Sequence, residues 1–125
     1  MNNAARAAYV GSSVNTASPA RLLVMLYDRL VLDVQRALDC QRAAENLAAS
    51  QHLMHAQEIV LELQSSLRLD VWEGAEKLSA IYAWLHGELV RANVSRDVAV
   101  TEGCLTTVQP LAEAWREAAL ATVAS

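Results

Sequence analysis

Phenylalanine is missing from this sequence, and turn formers are scarce: its 125 residues hold two prolines and four glycines. An all-β sandwich or barrel needs turn residues at short, regular intervals, so this composition argues against one. Cysteine is nearly absent as well. Cys40 and Cys104 stand far apart with no second cysteine near either, which argues against a disulfide framework. No basic cluster occurs and the net charge is −4. Nucleic acid and anionic membrane are therefore poor partners. Nor is there a continuous apolar run; the opening residues "MNNAARAAYVGSS" lack the apolar centre of a signal peptide. The expectation is a cytoplasmic protein with no membrane insertion.

Apolar residues make up 54% of the chain, much of that alanine. Residues 1–17 show no sustained period and read as an irregular tail. Residues 18–125 read as one domain. Ser18-Pro19 marks a helix start: the serine hydroxyl can accept a bond from a free backbone N–H, and proline in the first turn loses no helical bond. Leu23, Leu26, Leu30, Val34 and Ala37, with Tyr27 beside them, form one apolar stripe, predicting a helix over about 19–42. Tyr27 is expected to carry its hydroxyl near the rim.

A second stripe, Ala49, Leu53, Ala56, Val60, Leu63 and Leu67, lies out of phase with the first. It therefore predicts a new helix, with Asn46 as its candidate cap. "RLDVWEGA" at 68–75 interrupts, with Asp70 and Glu73 as a candidate capping pair. Ala75, Leu78, Tyr82, Leu85, Leu89 and Ala92 then make the most regular stripe. Asn93 is read as its stop and Ser95 as the next cap. The last helix, about 96–120, carries Val98, Leu105, Val108, Ala112 and Trp115. Thr101 interrupts that stripe, and Pro110 is expected to bend the helix. Four helices of about 20 residues with short connections predict an all-α fold, an antiparallel four-helix bundle.

One stripe per helix fills a bundle core, yet apolar residues remain outside the stripes. They are Leu22, Val24, Met25, Val31 and Leu32 on the first helix, and Leu47, Met54 and Leu61 on the second. The third adds Ile81 and Trp84, and the fourth Val100, Cys104 and Leu111. Any one of them is ordinary surface, but a helix apolar over most of its circumference is usually covered. The protein's own tail, another subunit or a partner segment are the candidates.

Catalytic motifs are absent. No Gly-rich phosphate loop occurs, and Ser12-Ser13 and Ser65-Ser66 sit in no nucleophile motif. His52 and His55, followed by Glu58 and Glu62, lack the Glu-x-x-His pair of di-iron bundles and are read as polar surface or groove-rim residues. His86 has no partner in sequence. Asp28, Asp33 and Asp39 are read as solvated. No enzyme, metal or cofactor is expected.

"AY" at 8–9 followed by "VNTASPARLLVMLYDRL" at 14–30 resembles the N-terminal signature of the flagellar secretion chaperones of the FliS family. "AQEIVLELQSSL" at 56–67, "AEKLSAIYAWLHGELVRAN" at 75–93 and "PLAEAWREA" at 110–118 are similar to that family's later helices in order and spacing. His52 and His55 stand where the family often has basic residues, Gly74 stands alone where a double glycine is common, and Pro110 departs from the pattern. The resemblance implies a non-enzymatic helical bundle that binds the C-terminal segment of flagellin in the cytoplasm. It also implies prevention of premature polymerisation and delivery to the flagellar export apparatus. On that basis Tyr9, Val14, Leu22, Met25, Leu47, Met54, Leu61, Ile81, Trp84 and Leu111 are the expected client-binding residues. The tail's Tyr9 and Val14 would close or border a groove. The alternative is a structural bundle that self-associates through the same faces.

Overall fold

The computed structural model describes residues 19–70 and 72–124, with side chains through residue 120. Four helices account for nearly all of it: α1 Pro19–Arg42, α2 Asn46–Ser66, α3 Ala75–Ser95 and α4 Val98–Ala124. No strand occurs among the described residues. Neighbouring helices pack around a square, α1 on α2 and α4, and α3 on α2 and α4. Ion pairs give the direction of α4: it meets α1 at Asp28–Arg116 near one end and at Arg42–Glu102, 2.5 Å apart, near the other. That is the antiparallel arrangement.

The stripes of α2 and α3 are buried throughout, from Ala49 to Leu67 and from Ala75 to Ala92. Leu23, Tyr27, Leu30, Val34 and Ala37 do the same for α1, while Leu26 is half-buried at the core's edge. Each fully buried leucine or valine contributes about 1.5–3 kcal/mol from apolar transfer. These helices hold chiefly through packing of their apolar faces, which supplies most helical stability in proteins.

The helix ends differ from expectation in instructive ways. Ser18, the expected cap of α1, lies outside the described residues. Glu45, not Asn46, precedes α2. It makes no side-chain cap, and the chain turns through Ala44 in the left-handed region at φ 58°. Asp70 and Glu73 do not cap α3; Gly74 does, without a side-chain bond. A Cβ at Gly74 would lie 2.3 Å from the Trp72 ring, so the missing side chain lets Trp72 fold down onto the core. At the far end α3 runs through Asn93 to Ser95. Arg96 is the left-handed residue there, at φ 57°, with its N–H donating to the Ala92 carbonyl at 3.0 Å. Asp97 takes the cap expected of Ser95: its Oδ1 accepts the Ala99 N–H at 2.9 Å. Ser95 instead donates back to the Arg91 carbonyl at 2.7 Å.

In α4 the buried face is wider than its sequence stripe. Val100 and Cys104, expected on the outer face, are buried, and so is Thr101. Thr101 belongs to the stripe rather than breaking it, because its hydroxyl has a partner: it donates to Gln41 Oε1 of α1 at 2.7 Å. Pro110 sits exposed within a helix that continues on both sides of it.

Candidate functional site

Six of the eight expected groove residues that lie among the described residues are exposed. Leu47 is 75% exposed, Met25 54%, Met54 53%, Trp84 51% and Leu61 48%, with Ile81 at the lower margin. Leu22 and Leu111 are half-buried, and Leu111 packs against the core. Tyr9 and Val14 lie outside the described residues.

The exposed side chains do not converge on a single cleft. Ile81, Trp84 and Leu111 come together between α3 and α4, where Ala80, Thr107 and Pro110 complete an open groove of about 510 Å³. No charged residue lines it. A second groove, of about 470 Å³, lies between α1 and α4. Val31 and Leu32 form its apolar part, and the Asp28–Arg116 pair flanks it. Leu47 lines a third cavity, where the end of α1, the start of α2 and the end of α3 meet. Met25, Met54 and Leu61 stand outside all three. Sequence reasoning passed over Leu69, Val90, Val94 and Leu120, also exposed; Val90 and Val94, four apart on α3, were visible in the pattern.

Polar groups inside the bundle are few and paired. Asp33 is fully buried, not solvated as its residue type suggested. Its Oδ1 accepts from Arg29 Nε at 3.1 Å, and its Oδ2 accepts from His55 Nδ1 on α2. His55 is thus tied to a core carboxylate, with its ring about half exposed. The Tyr27 hydroxyl, expected near the rim, is also buried. It shares a hydrogen bond of 2.5 Å with the Tyr82 hydroxyl across the bundle diagonal. The Tyr27 ring stacks on Trp115 with centroids 6.3 Å apart. Burial pushes the Tyr27 phenol up to about 12, against the opposing pull of its bonds to Tyr82 and Trp115. Burial likewise pushes the Cys104 thiol up to about 12, with the Glu88 charge adding to it. A thiol so raised is a poor nucleophile.

Among the described residues no group of three or more His, Cys, Asp or Glu side chains is placed to hold a metal ion. No described helix is long and apolar enough to cross a membrane. Large apolar side chains exposed on all four helices of a filled bundle are what a protein-binding module presents.

Comparison with known proteins names the module. The model of the family "Flagellar protein FliS" matches residues 1–122. The flagellar secretion chaperone FliS of Bacillus subtilis (strain 168) is 30% identical over 114 residues, which span 89% of this chain and 83% of that protein. A crystal structure described as a flagellar chaperone from bacteria superposes with a TM-score of 0.73. It covers 88% of this chain and 90% of that one at 19% identity, and so speaks for the fold. The chain belongs to the FliS family of flagellar secretion chaperones.

Proposed function

We propose that this protein binds the C-terminal segment of flagellin in the cytoplasm, keeps it from polymerising and supports its delivery to the flagellar export apparatus. The observation that carries the reading is where the apolar exposure lies. Met25 is on α1, Leu47, Met54 and Leu61 are on α2, Ile81 and Trp84 on α3, and Leu120 on α4. A rigid partner docking on one face leaves most of these in water. A flexible segment that winds around the bundle covers them all. A segment that folds as it binds needs that breadth, because buried apolar area must offset its ordering entropy. The uncharged α3–α4 groove suits apolar side chains set three and four apart on a short helix. Tyr9 and Val14, on the tail of residues 1–17, are in this reading the residues that close or border one groove.

The test is calorimetric titration of the full chain with a peptide of the host flagellin's C-terminal segment. Binding at or below micromolar Kd with a negative heat-capacity change is expected. An absence of heat at tens of micromolar peptide defeats the proposal. A concentration-independent oligomer in light scattering would instead point to self-association through the same faces.

A further inference from the structure

At the end of the bundle where α1 gives way to α2, a cavity of about 540 Å³ opens between the end of α1, the start of α2 and the end of α3. It differs in chemistry from the two apolar grooves. Its polar lining comes from Arg96, Asn46, Asn93 and Ser50, and its apolar lining from Leu47 and Leu53. Gln41 forms a wall that is already committed: Oε1 accepts from Thr101, and Nε2 donates to the Ala92 carbonyl at 3.4 Å. No carboxylate lines the cavity.

The Arg96 guanidinium is the one charge on that lining. Like Arg36 and Lys77, Arg96 is in no ion pair among the described residues, and of these three it alone lines one of the three cavities. The left-handed turn of its own backbone places it where α3 ends, beside Asn93. Arginine's planar fork matches a carboxylate in two parallel bonds, and amide N–H groups from Asn46 and Asn93 add donors around it. Leu47, exposed on the same lining, supplies a patch for the aliphatic part of the same residue.

We infer that this cavity receives the terminal carboxylate of a bound peptide, with Arg96 as its counter-ion and Leu47 against the last side chain. The inference rests on the proposed role as a chaperone of flagellin's C-terminal segment. It adds that the chain's free end is read as such, and that binding has a fixed register starting from this end of the bundle.

The test uses two synthetic versions of the flagellin C-terminal peptide, one ending in the free acid and one in the amide, titrated against the full-length protein. The acid should bind about ten- to a hundredfold more tightly, as expected for a charge-assisted bond with one partner removed. That difference should vanish in Arg96→Gln and in Arg96→Asn. The Asn variant suits a left-handed position, so a folding defect does not obscure the result. Equal affinity of acid and amide for the unaltered protein overturns the inference and leaves the chaperone reading standing. A preference for the acid that persists in both variants places the carboxylate elsewhere and overturns it too. If neither peptide binds, the chaperone reading itself fails.

Discussion

Replacing His55 by alanine tests how α1 and α2 are held together. Asp33 is fully buried, and its two oxygens take one donor each, Arg29 Nε on its own helix and His55 Nδ1 on α2. His55→Ala leaves Oδ2 without its donor. An orphaned buried acceptor costs about 1–3 kcal/mol, and breaking a fully buried ion pair about 3–5. The His55 side chain is 45% exposed, so water enters where the ring was and the cost falls to about 2 kcal/mol. With an unfolding entropy of about 0.25 kcal/mol per degree for a chain of this length, that lowers Tm by about 8 °C. The opposite substitution behaves differently. Asp33→Leu removes the buried carboxylate itself, its half-exposed partners turn to water, and the apolar side chain joins the core. The net change should lie within about 1 kcal/mol of zero. In that background His55→Ala should cost under about 0.5 kcal/mol, as surface substitutions do. Thermal unfolding of the four proteins followed by circular dichroism completes the cycle, and the expected coupling is about 1.5 kcal/mol. An equal cost for His55→Ala in both backgrounds would refute this account of Asp33.

Three further outcomes follow from the packing. Cys104 and Tyr27 keep their protons in the folded state to about pH 12, while the unfolded chain releases them from about 9 and 10. The folded state then holds more protons, so stability should fall as pH rises above about 9. The slope steepens toward about 1.4 kcal/mol per unit for each group, and Cys104→Ala should remove the earlier part of the fall in a Tm-against-pH series. Met54→Asp and Leu61→Asp should leave Tm within about 2 °C, because both side chains are half exposed, yet weaken the flagellin peptide at least tenfold in titration. Unfolding of either variant would mean that core had been mistaken for groove. Ala44→Gly should raise stability by up to about 1 kcal/mol in urea unfolding, since alanine at φ 58° bears a strain that glycine lacks.

The long stripes were legible because period and burial coincide. α3 buries Ala75 through Ala92 as its sequence pattern requires, and Arg42 ends α1 where the stripe places it. What escaped notice was every position where a polar side chain finds its partner on another helix. Asp33 reads as surface until α2 brings His55 to it. Thr101 reads as an interruption until Gln41 accepts its hydroxyl. Without Thr101 in the stripe, the phase of α4 slips, and Val100 and Cys104 fall on the wrong face. The Tyr27 hydroxyl needed Tyr82, 55 residues away, to become a core group. The turn from α3 to α4 moved by two or three residues for a local reason: Arg96 takes the left-handed position, so Ser95 stays within α3 and Asp97, an equally good cap, is left to accept the Ala99 N–H. In the proposed site, which helix a residue occupies was readable; which groove it joins depends on helix separation, and no residue pattern encodes that.

The placement of the tryptophans gives the molecule a built-in optical reporter. Trp115 is sealed against Tyr27 in the interior, while Trp84 stands half in water on the α3–α4 groove. Trp72, half-buried against the core, is the third indole, so the single emission band of the unliganded protein combines a dry, an intermediate and a wet one. A segment laid into that groove dries Trp84 and leaves Trp115 as it was. In a Trp72→Phe background the blue shift on adding client then belongs to one known side chain. Occupancy of that groove can be timed by stopped flow without attaching a dye, separately from events at the arginine-lined end of the bundle.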